Sequence, residues 1–169
     1  LNAEGPIKLN ANENPFGPSK LVREVLNSSM DVACRYPFRT LSSLVKMIAE
    51  KEGVSKDHIV VTGGSTEGLK ASGLVFGGPG SEIVAADPTF QALLRYAEIF
   101  GSHVHRVALK DDLGHDLEAM SRRITSKTSL VFICNPNNPS GTLLPSEELI
   151  DFCRSHEQQA VIFSDEAYY

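Results

Sequence analysis

VIFSDEAYY (residues 161–169) runs from β-branched and aromatic residues straight into Asp165, Glu166 and two phenols. The first half reads as a buried strand, and an ionised acid at the end of one needs a charged or strongly donating partner. No basic residue lies close enough in sequence to make a local ion pair with Asp165. A cationic ligand would supply that partner. Three other stretches are equipped for chemistry. TGGSTEG (62–68) is a glycine turn opening a helix, where unpaired first-turn amides and the positive end of the dipole make an anion site, and Ser65 and Thr66 add hydroxyls. It is neither GxGxxG nor a P-loop, since Leu69 stands where the P-loop lysine would be. NPNNPSGT (135–142) contains two X-Pro pairs that hold Asn135 and Asn138 extended, a stiff loop with Asn137 as its natural donor. DPTF (87–90) offers Phe90 as a ring platform. Each has a plain alternative: a tight turn with a capping serine, ordinary turn residues, a core phenylalanine.

The elements that must position these groups follow from periodicity. The first 18 residues carry three prolines and four asparagines without a sustained period, and read as an extended arm. Ser19 caps a helix whose Leu21, Val22, Val25 and Leu26 share a face. A second helix is capped by Thr40, carries Leu41, Leu44, Val45 and Ile48, and ends at Gly53. From His58 the pattern changes. HIVVT, EIVAAD, HVHRVAL, SLVFICN and AVIFSD read as strands, separated by helices over 65–76, 89–100, 116–124 and 146–156. Strands alternating with helices predict an α/β fold, a three-layer α/β/α sandwich around a mostly parallel sheet. Ligands of such sheets gather outside the carboxyl ends of the strands. TGGSTEG, DPTF, NPNNPSG and DEAY all follow strands.

The totals narrow the function classes. With 169 residues, 41% of them apolar, the chain suffices for one domain with a core. A net charge of −5 with scattered basic residues leaves no footprint for nucleic acid or an anionic membrane surface, so a small-molecule partner is expected. Cys34, Cys134 and Cys153 have no CxxC spacing, which argues against a disulfide framework or a zinc site and for small core residues in a reducing, cytoplasmic compartment. No apolar run approaches the roughly 20 residues of a membrane span. His103 and His105 share a strand face without a third ligand, so no metal is expected there. Asp111, Asp112 and Asp116 fit an exposed loop and a helix start.

A phosphate cradle, an aromatic face, a neutral donor and a fixed carboxylate at neighbouring strand ends match pyridoxal 5'-phosphate group by group. The order and wording of KLNANENPFGPS, CRYP, TGGSTEG, DPTF, CNPNNPSGT and SDEAY also resemble the fold type I pyridoxal-phosphate-dependent aminotransferases, histidinol-phosphate aminotransferase group. The resemblance spans residues 8–168. It implies an arm and helices of the small-domain and dimer-contact region over 1–53, and the first part of the cofactor-binding large domain over 54–169. Asp165 would sit against the pyridine nitrogen. Asn137 and Tyr168 would bind the phenolic oxygen, Phe90 would lie on the ring face, and Ser65 and Thr66 would hold the phosphate. Tyr36 would reach the phosphate of the neighbouring subunit of a homodimer, and residues 10–15 would lie near the substrate. The Schiff-base lysine of the family would lie beyond Tyr169, so the 169 residues alone are expected to be inactive. Two positions depart from the family pattern: Phe38 stands where an acid often follows RYP, and Thr66 where an acid often precedes Glu67. The activity implied is amino transfer from a donor such as histidinol phosphate to a 2-oxo acid such as 2-oxoglutarate. The alternatives are a decarboxylase of the same fold, of the threonine-phosphate type, and a non-catalytic regulatory module.

Overall fold

The computed structural model describes residues 8–169 and resolves two compact units, one ending at Val60 and one covering Val61–Tyr169. The first seven residues of the expected arm lie outside the described residues.

In the first unit, residues 8–19 form no helix or strand, and Asn14 closes a turn by accepting the Phe16 N–H at 3.0 Å. Helix α1 (Lys20–Ser28) starts where Ser19 Oγ accepts the Val22 N–H at 3.3 Å. Helix α2 (Phe38–Glu52) begins two residues ahead of the expected Thr40 cap, because Pro37 already accepts the Leu41 N–H at 2.7 Å and Phe38 and Arg39 complete the first turn. Gly53 ends α2 at φ 67°, a left-handed conformation that glycine adopts without a Cβ penalty. Cys34 is exposed here, against the expectation of a core cysteine.

The second unit carries the sheet. Strands β1 (Glu82–Asp87), β2 (His103–Ala108), β3 (Thr128–Cys134) and β4 (Val161–Asp165) are all parallel, in the order β2-β1-β3-β4. Helix α3 (Ser65–Phe76) precedes β1, and α4 (Ala92–Ile99), α5 (Leu117–Ser121) and α6 (Ser146–His156) connect the successive strands. Side chains alternate across a strand, and β1 and β3 are apolar on both faces. Ile83, Ala85, Leu130, Phe132 and Cys134 pack with Leu69 of α3 and Leu93, Leu94 and Ala97 of α4. Val84, Val131 and Ile133 pack on the other side with Met120 of α5 and Phe152 of α6. Two cores sharing one sheet make the three-layer sandwich. Helices α3 and α4 approach closely because Gly73 has no side chain: a Cβ there would lie 3.0 Å from the Leu93 carbonyl oxygen.

HIVVT is not a strand. Residues Lys56–His58 form a 3-10 turn, Ile59 is extended, and Val60 is 86% exposed. β-Branched residues favour extended backbone, but a strand exists only where a neighbour completes the ladder, and none of the described residues does so. His103 and His105 meet edge to face at 4.5 Å, and His105 Nε2 lies 3.2 Å from Glu82 Oε2. Asp116 caps α5 by accepting the Ala119 N–H at 2.8 Å.

His115, which no motif marks, is 1% exposed in the loop before α5; its Nε2 has no hydrogen-bond partner among the described residues, and burial lowers its pKa from 6.5 to about 4. The neutral imidazole is thus the folded form. Between those pKa values the unfolded chain binds the extra proton, so stability is full above pH 6.5 and falls as the pH drops toward 4. The loss amounts to about 3 kcal/mol. His115→Leu in the full-length protein is expected to flatten urea midpoints between pH 6.5 and 4 relative to the parent. An unchanged pH slope would refute this account of His115.

Candidate active site

The sheet order reverses direction between β1 and β3, since β1 is followed outward by β2 on one side and β3 lies on the other. Such a switch point leaves a crevice at the carboxyl ends of the two strands. The loops bordering it are DPTF after β1 and NPNNPSGT after β3, with DEAY after β4 alongside.

Register places Asp165 beside Cys134, and the Asn135 N–H donates to the Asp165 carbonyl at 2.9 Å. The Asp165 side chain is 7% exposed. Its one side-chain hydrogen bond among the described residues comes from the Ala167 N–H, at 3.3 Å to Oδ1. Burial pushes its pKa above the usual carboxylate value, only partly offset by the Ala167 bond, and no cation contributes. Burial of Cys134, together with the Asp165 charge, pushes its thiol pKa up, which favours the neutral thiol at this wall of the cleft.

Ser65, Phe90, Cys134, Asn138, Asp165, Ala167 and Tyr168 line one cleft of about 70 Å³. Ser65 opens α3 after Gly64, whose φ of 94° suits glycine and whose missing side chain faces open space. Among the described residues no side chain caps this helix; Glu67 instead turns back to accept the Gly63 N–H. Of the residues singled out from sequence, the cleft thus unites Ser65, Phe90, Asp165 and Tyr168. Thr66 sits exposed in the first turn of α3, off the cleft wall. Tyr36 belongs to the first unit, where it is 85% exposed and stacks on Phe38 at 5.5 Å.

Asn137 does not line the cleft. It is 2% exposed, and its amide is consumed inside the protein: Oδ1 accepts from Thr89 Oγ1 at 2.8 Å, while Nδ2 donates to Ser140 Oγ at 2.7 Å and the Pro88 carbonyl at 3.2 Å. Its neighbour Asn138 reaches the cleft, with Nδ2 donating to the Tyr168 hydroxyl at 3.3 Å. A usable signal was present in the sequence. NNPSGT is a turn based on Asn137, whose carbonyl accepts the Gly141 N–H at 2.7 Å and whose N–H donates to the Thr142 carbonyl at 2.9 Å. The asparagine at the base of a turn spends its side chain within it; the next one is available.

The model of the family "Aminotransferase class I and II" matches residues 4–169. Over 163 residues, 96% of this chain, the sequence is 39% identical to histidinol-phosphate aminotransferase 1 of Bacillus cereus. It is 37% identical over 99% of its length to the histidinol-phosphate aminotransferase of Moorella thermoacetica. The chain spans 44% and 43% of the length of these two relatives. Among solved structures, the histidinol-phosphate aminotransferase of Sinorhizobium meliloti in complex with pyridoxal-5'-phosphate superposes with a TM-score of 0.86. That match has 24% identity and covers 94% of this chain and 43% of the other, a likeness of fold. The sheet, its flanking helices and the matched sequence lead to one conclusion: the chain belongs to the class I and II aminotransferases.

Proposed function

We propose that the full-length protein binds pyridoxal phosphate with its ring in this cleft and transfers an amino group from histidinol phosphate to a 2-oxo acid such as 2-oxoglutarate. The observation that carries the reading is Asp165, a buried carboxylate with no cationic partner among the described residues. A protonated pyridine nitrogen would supply that partner and favour the ionised carboxylate, opposing the upward push of burial. The donor set fits the rest of the group. The uncapped first turn of α3 with Ser65 and Thr66 suits a phosphate, Phe90 suits a ring face, and Asn138 with Tyr168 suits a phenolic oxygen. At about 70 Å³ the cleft is far smaller than the roughly 300 Å³ that encloses a whole ligand, so it would take the ring and leave the substrate outside.

When bound, pyridoxal phosphate supplies an electron sink for the Cα electrons of the amino donor. Asp165 would hold a proton on the ring nitrogen by charge, Phe90 and Cys134 would help keep water from that carboxylate, and Asn138 with Tyr168 would bind the phenolic oxygen. The choice of histidinol phosphate rests on the names of the relatives, and a compartment without export, the cytoplasm, goes with that role. The deciding assay follows amino transfer from histidinol phosphate to 2-oxoglutarate by the full-length protein, beside a panel of aromatic donors and a measurement of carbon dioxide release from threonine phosphate. Carbon dioxide release without amino transfer would overturn the proposal.

The homodimer belongs to the same proposal, with Tyr36 lent to the phosphate of the neighbouring subunit. A Tyr36→Phe subunit paired with one disabled at Asp165 then forms one intact site and one doubly defective site. Purified hybrids are expected to retain about half of the parental activity, against nearly none for the Asp165 variant itself. A hybrid no more active than the mean of its two parent variants would contradict the exchange.

A further inference from the structure

Loops from β1 and β3 border the crevice, and each carries a cleft residue: Phe90 on one, Asn138 on the other. The residues immediately before these, Thr89 and Asn137, are both buried and bonded to each other across 48 positions of sequence. Two bonds span the gap between the loops, Thr89 Oγ1 to Asn137 Oδ1 at 2.8 Å and Asn137 Nδ2 to the Pro88 carbonyl at 3.2 Å. The second amide proton anchors Asn137 to Ser140 Oγ, which meets Thr142 Oγ1 at 2.8 Å; Thr142 in turn donates to the Leu113 carbonyl at 2.8 Å. Gln91 Nε2 donates to the Thr89 carbonyl at 2.8 Å, which steadies the other loop.

We infer that Thr89 and Asn137 form a positioning clamp across the switch point, fixing the Phe90 ring face and the Asn138 amide relative to each other on either side of the cleft. Neither side chain of the clamp lines the cleft, so the pair acts through its neighbours. The geometry is suited to this because each clamp residue is one peptide from the group it positions, leaving little slack between the buried bond and the cleft wall. A ring held between a face and an edge donor tolerates little error in their separation. The clamp rests on the reading that the cleft takes pyridoxal phosphate.

The test uses the full-length protein freed of cofactor, with pyridoxal phosphate titrated at 25 °C and the unfolding temperature of the cofactor-free protein measured beside it. Thr89→Val keeps the shape and removes the donor, leaving Asn137 Oδ1 unpaired; Thr89→Ser keeps the donor. Thr89→Val is expected to weaken pyridoxal phosphate binding by roughly tenfold or more, and Thr89→Ser to bind as tightly as the parent. Loss of thermal stability in Thr89→Val with unchanged affinity would make the pair a structural bond only and overturn the clamp. If Thr89→Val does not fold, Ser140→Ala, which strips an acceptor from the Asn137 amide, carries the test with an expected weakening of about threefold; unchanged affinity there overturns the clamp equally. A parent protein that binds no pyridoxal phosphate overturns the functional reading and the clamp together, whereas a parent that binds it no better than a stably folded Thr89→Val overturns the clamp alone.

Discussion

Asp165→Asn in the full-length protein is expected to reduce amino transfer by roughly 10²–10³-fold while leaving the cofactor-free protein as stable as the parent or more so. The activity loss follows from charge. A carboxylate beside a cation shifts its pKa by about 1–3 units, and an amide of the same shape cannot. The ring nitrogen would lose its proton at neutral pH, and with it the pull on the Cα electrons. The stability effect has the opposite sign. Burial raises the Asp165 pKa, so the folded state binds this proton more tightly than the unfolded chain does. The contribution of Asp165 to stability is therefore fully present below the unfolded value of 3.8 and is lost as the pH rises through the folded pKa. At neutral pH the ionised group is a cost in the cofactor-free protein, and asparagine removes it. Steady-state kinetics and thermal unfolding of the same preparation check both halves. A variant with near-parental turnover would remove Asp165 from the chemistry, and one that is inactive only because it unfolds would fail the second half.

Phe132→Ala is expected to cost about 3–5 kcal/mol, the range for deleting a buried aromatic ring. Phe132 lies within β3 with no exposure, paired with Phe163 of β4 and part of the same buried cluster as Ile83, Leu93 and Leu130. Its ring sits 5.8 Å from that of Phe163 at 34°. Both strands carry cleft residues at their ends, so the cavity would loosen the Cys134 and Asp165 register as well as the core. A typical domain has only about 5–15 kcal/mol of stability, and this loss takes a large fraction of it. Urea unfolding of the full-length protein should show a lower midpoint with an unchanged slope. A shift worth less than about 1 kcal/mol would mean that the surrounding core collapses around the space.

The sheet was legible in the sequence where a strand is buried on both faces. SLVFIC and IVAA are continuous apolar runs, and their burial on two sides is why β1, β3 and the three-layer arrangement could be read directly. HIVVT carries the same composition and forms no strand, because composition reports preference for extension and not the presence of a neighbour. Thr40 looked like a cap by residue type, yet the helix starts ahead of it, since Pro37 and Phe38 satisfy the first turn through the backbone alone. That Ser65, Phe90, Asp165 and Tyr168 share one cleft could be anticipated because each belongs to a short motif whose polar or aromatic group stands out by type. Asn137 and Asn138 were not separable by type. Only the turn geometry, which spends one amide internally, tells them apart. Thr89 and His115 were invisible for a related reason: a buried polar group reveals itself through its partner or lack of one, which lies 48 positions away for Thr89 and is missing among the described residues for the His115 Nε2.

That the Asp165 carboxylate would hold a proton on the ring nitrogen of pyridoxal phosphate, in the cleft at the end of β4, is the proposal on which the function rests. It is tested most directly by nitrogen NMR of the full-length protein reconstituted with cofactor labelled at that nitrogen, compared with Asp165→Asn at the same neutral pH. The account predicts a protonated ring nitrogen in the parent and a neutral one in the variant. A neutral ring nitrogen in the parent, or a protonated one in both proteins, would contradict it.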